Sequence, residues 1–357
     1  MAEIKPFTYE SVPARVVFGA GSVAKLADEV RHFGFNRALV LTTKGQVALG
    51  EKMAAQLGDL AVGAYPGAVM HTPAASGEAG CAEARRLNAD CTVTVGGGSA
   101  IGLGKVIARD VGLPQIAVPT TYSGSEMTAI WGVTKDGVKT TGPDPKVLPV
   151  GVIYDPELTL RLPANVSGPS GLNAMAHSVE ALYAKNANPI ASLMAEESIR
   201  ALGKSLPVVV KEPADIASRG EALYGAWLAG AALAQSGIAL HHKLCHTLGG
   251  AFGLPHAEVH TVLLPHASAY NRAAAAEAMA RVARALGVQD AALGIFDLAT
   301  AIGAKVALKD IGMREADLDK AADLAVQNPY YNPAPVTREG VRALLDDAFH
   351  GRRPAAA

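Results

Sequence analysis

The densest chemistry in this sequence lies in one short stretch. His241-His242-Lys243-Leu244-Cys245-His246 is followed by His256, His260 and His266, so six of the ten histidines fall between positions 241 and 266. His242 and His246 are four residues apart, which on a helix turns both imidazoles to one face. Asn173 and His177 repeat that spacing upstream. Imidazole moves protons near neutral pH and also ligates metals, so spacing alone does not choose between the two. A single histidine in an Ala-rich helix is ordinarily a core or surface residue. Six within 26 positions, in a chain with only 18% charged residues, point to a shared function.

A second kind of chemistry sits earlier in the chain. The β-branched run Cys91–Val95 leads into Gly96-Gly97-Gly98-Ser99 and then a helical pattern through Lys105. Glycines let backbone approach a ligand closely, and the N–H groups at a helix start favour phosphate. The spacing is not the G-x-G-x-x-G of an ordinary Rossmann fingerprint. The run Gln115–Val118 is followed by Pro119-Thr120-Thr121-Tyr122-Ser123-Gly124-Ser125-Glu126, a polar loop rich in hydroxyls. Open parallel sheets bind ligands beyond the carboxyl ends of their strands, so two such loops on consecutive strands predict a dinucleotide site. Thr43, ending the run Arg37–Thr42, stands where an acidic residue would read the adenosine ribose. Without that carboxylate the site should accept NADPH as well as NADH.

The elements that must position these groups fall into two textures. Arg37–Thr42, Ala61–Tyr65, Cys91–Val95 and Gln115–Val118 read as buried strands, separated by helical patterns over Val23–Phe33, Gly50–Leu57 and Ala75–Leu87. This alternation predicts βαβ units and a mainly parallel sheet. Ala14–Phe18 and Val150–Tyr154 are expected as strands at the sheet margin. After Asp155-Pro156 only helices are expected: Asn173–Lys185, Ala191–Leu202, Gly220–Gln235, Leu240–Phe252, Ala273–Leu286 and Asp290–Ile302. The expected division is an α/β domain over 1–158 and an all-helical domain over 159–357, with a frayed tail from Gly351.

Composition narrows the function classes. The 357 residues carry a net charge of −1 with no basic block, which argues against a nucleic-acid or anionic-membrane surface. The N-terminus has no apolar signal region, and no stretch approaches the length of a membrane span. The three cysteines, Cys81, Cys91 and Cys245, have neither disulfide nor zinc spacing and suit a reducing compartment. A cytoplasmic location is expected.

Taken together, GGGSAIGLGK, PTTYSGSEMT, GLNAMAHSVEALY and HHKLCHTLGGAFGLPHAEVHTVLLPH stand in the order found in the iron-containing alcohol dehydrogenase superfamily. The resemblance runs from FTYESVPARVVFGAGSV to NPYYNPAPVTREGVRALL. It implies a dehydroquinate synthase-like fold, with a Rossmann-like N-terminal domain, a C-terminal helical domain and an active site in the cleft between them. Family members that use iron or zinc bind it through one Asp and three His, which correspond here to Asn173, His177, His242 and His256. An amide brings no charge to a divalent ion, so no metal requirement is expected. With HHKLCH and the PTTYSGSEMT loop, Asn173 resembles the maleylacetate reductase branch. That branch reduces the carbon–carbon double bond of maleylacetate to 3-oxoadipate with NADH or NADPH, in the breakdown of aromatic compounds.

On this resemblance His246 is expected to donate or position a proton. His177, His241 and His242 would stabilise an enolate, with Lys243 on a substrate carboxylate, and the added His and Lys would keep the site positive toward a dianion. Gly96, Gly97, Gly98 and Ser99 are expected at the pyrophosphate, Thr43, Thr120, Thr121 and Ser125 around the cofactor, and Lys139 as a cofactor-side lysine. Tyr330 and Tyr331 are expected in surface packing. A homodimer acting on a small dicarboxylate is implied. The competing readings are a metal-dependent alcohol dehydrogenase that ligates through the Asn173 carbonyl, and a non-redox lyase or synthase on the same scaffold.

Overall fold

A computed structural model describes Tyr9 and residues 15 to 356, apart from Gly137 and the side chains of Val138 and Lys139. The chain separates into two compact units. One comprises Pro13–Leu162 with Ala214–Leu223; the other comprises Pro163–Pro213 and Tyr224–Ala357.

The first unit is built on six parallel strands: β1 (Arg15–Phe18), β2 (Ala38–Thr43), β3 (Ala61–Ala68), β4 (Cys91–Gly96), β5 (Gln115–Pro119) and β8 (Gly151–Tyr154), in the order β1-β8-β5-β4-β2-β3. Strands β4, β5 and β8 are buried throughout, as their near-continuous apolar runs require when helices cover both faces. Helices α1 (Leu26–His32), α2 (Val47–Leu57), α3 (Ala74–Arg86) and α4 (Gly98–Val111) supply those faces. Leu26, Val30, Met53 and Leu57 close one face against Val40, Val93 and Ile116. Cys81, Ala84, Leu103, Val106 and Ile107 close the other against Leu39 and Leu41.

A two-stranded antiparallel hairpin, β6 (Ile130–Lys135) and β7 (Val138–Pro143), was not expected. Its sequence signal is the Asp136-Gly137 dipeptide, and Asp136 takes the left-handed φ of +50° that such a turn demands. Its alternation is weak because most of β6 is only half-buried and Gly142 packs beneath Trp131.

The second unit holds helices α5 (Ala164–Ala181), α6 (Pro189–Lys211), α8 (Leu240–Phe252), α9 (His256–Asn271), α10 (Ala276–Leu286), α11 (Ala291–Ala301), α12 (Leu318–Ala325) and α13 (Arg338–His350); α7 (Ile216–Ser236) contributes residues to both units. Three differences from the sequence reading have one cause. Helix α5 begins at Ala164, nine residues before the expected Asn173, and runs through Pro169, α6 continues through Pro207, and α9 was not expected at all, with Pro265 inside it. Helices α5 and α9 are buried along most of their length and α6 along one face, so packing offsets the carbonyl that proline leaves without a donor. The tail is tied down rather than frayed. Arg353 donates to both Asp297 carboxylate oxygens at 2.9 and 2.7 Å, and Arg272 holds the Ala355 carbonyl at 2.9 Å.

Among the described residues no single helix is long and apolar enough to cross a membrane.

Candidate functional site

In the first unit, the loops after β2, β4 and β5 converge at the carboxyl edge of the sheet. Gly96 ends β4 with φ +151°, and Gly97 caps α4 without a side chain covering the first-turn N–H groups. A Cβ on Gly97 would lie 2.8 Å from the Thr121 methyl, and one on Gly96 would lie 2.8 Å from Gln46 Oε1. Glycine is therefore required at both, and the loops are stitched together: the Thr120 N–H donates to the Gly96 carbonyl at 3.0 Å. Gln46 bridges all three loops. Its amide donates to Thr120 Oγ1 at 3.0 Å, and its Oε1 accepts from the Thr43 hydroxyl at 3.4 Å. The open first turn of the 14-residue helix α4, beside this cradle, fits a pyrophosphate.

Lys105 holds the cradle from below. Its ammonium is fully buried and donates to the carbonyls of Ser125, Thr128 and Ile130 at 2.7, 2.8 and 2.8 Å, and to Thr128 Oγ1 at 2.9 Å. Burial pushes its pKa down to about 7, opposed by the nearby Glu126. Thus α4 and the 119–130 loop are pinned to each other through one side chain. Gln46 and Lys105 had no signal in the sequence beyond their neighbourhood to the loops. Gly98, Ser99, Thr121 and Ser125 all line these loops, whereas the side chain of Lys139 lies outside the described residues.

In the second unit, α5, α8 and α9 bring the histidines together. The ring centroids of His177 and His242 lie 5.1 Å apart in a stacked pair. His260, which sequence reasoning left unassigned, sits at the centre, 4.8 Å from His241, 4.9 Å from His242 and 4.3 Å from His256. His266 is not part of this group and packs edge-on to Phe296.

The organiser of the cluster is Glu180, also absent from the sequence reading. Fully buried, it accepts from the Ala239 N–H at 2.7 Å and the His241 N–H at 2.7 Å, and meets His242 Nδ1 at 2.6 Å. Burial raises the Glu180 carboxyl and pushes His242 down to about 3, so both partners are driven toward their neutral forms. With both neutral, the carboxyl O–H donates to Nδ1 and Nε2–H is left as a donor. With one proton fewer, Nδ1–H donates to the carboxylate and Nε2 is left as a lone pair.

His246 engages the Tyr330 hydroxyl through Nδ1 at 3.1 Å, and the Lys243 ammonium lies 5.7 Å from the centre of the Tyr330 ring. Tyr330 is thus placed on a candidate catalytic residue, while Tyr331 is exposed.

The electrostatics differ from expectation. His177 and His260 are pushed well below the usual imidazole value, chiefly by burial, and His241 to about 4. The histidines are therefore neutral at pH 7 and do not keep the site positive. That part falls to half-buried Lys243, whose own pKa is lowered by burial.

The family's metal would require a converging donor set. Asn173 offers a neutral oxygen, and Asn173 Oδ1, His177 Nδ1 and His242 Nε2 have no protein partner. Among the described residues, however, the two groups whose donor atoms all lie within 4.8 Å are Glu180–His241–His242 and His241–Cys245–His260, and neither contains His177 or His256. Asn173 leaves the four family positions without a carboxylate to offset the charge of a dication.

Comparison with known proteins agrees with this architecture. Residues 13–156 match the sequence model of iron-containing alcohol dehydrogenases, and residues 168–349 match that of the C-terminal region of the Fe-containing alcohol dehydrogenase family. The chain is 56% identical over 351 residues to a maleylacetate reductase of Sphingobium indicum, covering 98% of this chain and 99% of that protein. It is 55% identical to one of Burkholderia cepacia, with the same coverage. The crystal structure of maleylacetate reductase from Agrobacterium tumefaciens superposes with a TM-score of 0.95 at 51% identity, over 98% of this chain and all (100%) of that one.

Proposed function

The chain belongs to the iron-containing alcohol dehydrogenase family, and on that premise we propose that it reduces the carbon–carbon double bond of maleylacetate to give 3-oxoadipate. The single observation that carries this reading beyond the family is Asn173. It puts a neutral amide at the position of the metal-binding carboxylate, beside imidazoles that burial keeps uncharged. Such a site suits an anionic enone more than a plain carbonyl that needs a Lewis acid.

Gly96, Gly97, Gly98 and Ser99 would hold the pyrophosphate of a nicotinamide dinucleotide, with Thr120, Thr121, Ser125 and Lys139 around it. When bound, the nicotinamide supplies the hydride that saturates the double bond. Thr43 carries no carboxylate to repel a 2′-phosphate, and the neighbouring Lys44 is exposed, so NADH and NADPH both serve.

Charge that builds on the keto oxygen needs fixed hydrogen-bond donors. In its neutral pairing with Glu180, His242 presents Nε2–H, and His177 stacks on that ring to hold its plane. His241 acts as a positioning residue, since its Nε2 is engaged by the His260 carbonyl at 3.1 Å. His246, held through Nδ1 against the Tyr330 hydroxyl, exchanges a proton with the substrate. Lys243 binds a carboxylate of the dianion. A cytoplasmic homodimer completes the reading, supported by the resemblance and by three cysteines that are free and buried.

An NADH-oxidation assay tests it, with maleylacetate beside simple aldehydes, before and after exhaustive chelation. Stoichiometric loss of NADH with maleylacetate, undiminished by chelator, is expected. Loss of activity on chelation with recovery on adding iron or zinc would instead establish the metal-dependent alternative.

A further inference from the structure

The second of the close donor groups contains two residues, Cys245 and His260, to which the proposed chemistry gives no part. Helix α8 places His241 and Cys245 four residues apart, and α9 brings His260 to the same point. All three are buried, and their donor atoms lie within 4.8 Å of one another. Cys245 Sγ is 3.5 Å from His241 Nε2. An ion with bonds of about 2.3 Å to sulfur and about 2.0 Å to nitrogen at a tetrahedral angle needs those atoms about 3.5 Å apart. Both ring nitrogens of fully buried His260 lack a partner, and the His241 Nε2 that faces Cys245 is held by the His260 carbonyl at 3.1 Å, a bond that an ion would replace. Unpartnered buried polar atoms are costly, and a ligand that engages them recovers that cost.

We infer that His241, Cys245 and His260 form a binding site for a thiophilic divalent cation, zinc being the natural occupant, and that its occupation inhibits the enzyme. The donor set of one sulfur and two nitrogens is soft and selects zinc over magnesium or calcium. On binding, the Cys245 proton leaves to solvent and the thiolate takes one of the two charges. Glu180, whose Oε1 accepts from the His241 N–H at 2.7 Å, stands beside the site. None of the three ligands is a family metal position, so the ion would stand apart from Asn173, His177, His242 and His256.

Inhibition follows from contact. The rings of His241 and His260 lie 5.3 and 4.9 Å from that of His242. Fixing both on a dication places positive charge beside His242 and turns rings that pack against it. Only this inhibitory half rests on the maleylacetate reading; binding does not.

Cobalt is the probe. The chelated enzyme is incubated with Co²⁺ until its absorbance is constant, without substrate. A thiolate-to-cobalt charge-transfer band with the strong visible absorption of a tetrahedral site is expected, and it should vanish in Cys245→Ser. Zinc should then slow NADH oxidation by about tenfold or more in the wild-type enzyme, while Cys245→Ser keeps its basal rate and resists zinc. If serine unsettles that apolar position, Cys245→Ala gives the same two readouts. No charge-transfer band in the wild type, or the same band in either variant, overturns the site. Equal zinc inhibition of wild type and variant overturns the inhibitory role. Because the cobalt spectrum needs no substrate, failure of the maleylacetate assignment leaves it unaffected.

Discussion

Replacing Glu180 by glutamine is the sharpest test of how the imidazole cluster is held. The carboxyl group makes three close contacts at 2.6 to 2.7 Å: Oε2 accepts from the Ala239 N–H and pairs with His242 Nδ1, and Oε1 accepts from the His241 N–H. Glutamine has one acceptor oxygen. With that oxygen in the Oε2 place, its NH2 group meets the His241 N–H, donor against donor. The reverse orientation faces NH2 toward the Ala239 N–H and leaves His242 held by a neutral donor. Either way at least one buried N–H loses its acceptor, at a cost of about 1–3 kcal/mol. For a unit of this size that lowers the unfolding midpoint by about 2–12 °C. Because the orientation of His242 is disturbed as well, turnover should fall by roughly ten- to a hundredfold, by analogy with groups that orient catalytic or ligating histidines. The KM for NADH should not move, since the Glu180 carboxyl bonds α8 and the residue before it. Thermal unfolding followed by circular dichroism, with steady-state kinetics on the same samples, reads all three. A variant with wild-type midpoint and wild-type turnover would refute the organising role.

Four further outcomes follow from the geometry. His241, His242 and His266 are held at about 4, 3 and 4 against an unfolded value near 6.5, so between pH 6.5 and 4 the unfolded chain binds more protons than the folded one. Stability is therefore fully present above pH 6.5 and falls as pH drops through that window, by about 1.4 kcal/mol per pH unit for each imidazole, measured as denaturation midpoint against pH; a flat profile would contradict the buried neutral cluster. Tyr330→Phe removes the hydroxyl from His246 Nδ1 and should lower kcat about tenfold with little change in unfolding midpoint, and His246→Ala should lower kcat further while NADH affinity stays intact. Thr43→Asp should raise the KM for NADPH about tenfold more than that for NADH, because an added carboxylate repels a 2′-phosphate but accepts a 2′-hydroxyl.

The sheet was legible because β4, β5 and β8 are short apolar runs bounded by turns, and their interval from the glycine loop is fixed by chain geometry. The histidines were legible as types at helical spacing. What was not legible is what organises each site. Glu180 is one acidic residue in an Ala-rich helix, and only the fold brings it 62 positions along the chain to His242. Lys105 reads as an ordinary helix lysine until its ammonium is seen inside a ring of carbonyls. His260 was hidden with its helix, since α9 is buried over most of its length, mixes polar with apolar residues and is interrupted by Pro265, and so lacks the amphipathic period that betrays a surface helix. In each case the missing information is a contact between distant segments.

The neutrality of the imidazoles bears on how such a site gains rate. A dianion would be held well by a cluster of cations, but a fixed positive charge stabilises the bound substrate nearly as much as the transition state, and binding both equally does not raise turnover. Charge on the keto oxygen grows only as the double bond is reduced. Donors that are uncharged and already oriented interact weakly with the ketone and strongly with the oxyanion, which is the differential that turnover needs. Burial by α5, α8 and α9 is what keeps His177, His241 and His242 in that neutral state, and Glu180 orients His242 without requiring it to carry a charge. Ground-state attraction is left to Lys243, which is half-buried and set apart from the cluster beside Tyr330. On this division of labour, Lys243→Met should raise the KM for maleylacetate while leaving kcat within about threefold, since it removes binding shared by substrate and transition state. A large fall in kcat at unchanged KM would mean that the lysine, and not the imidazoles, meets the developing charge.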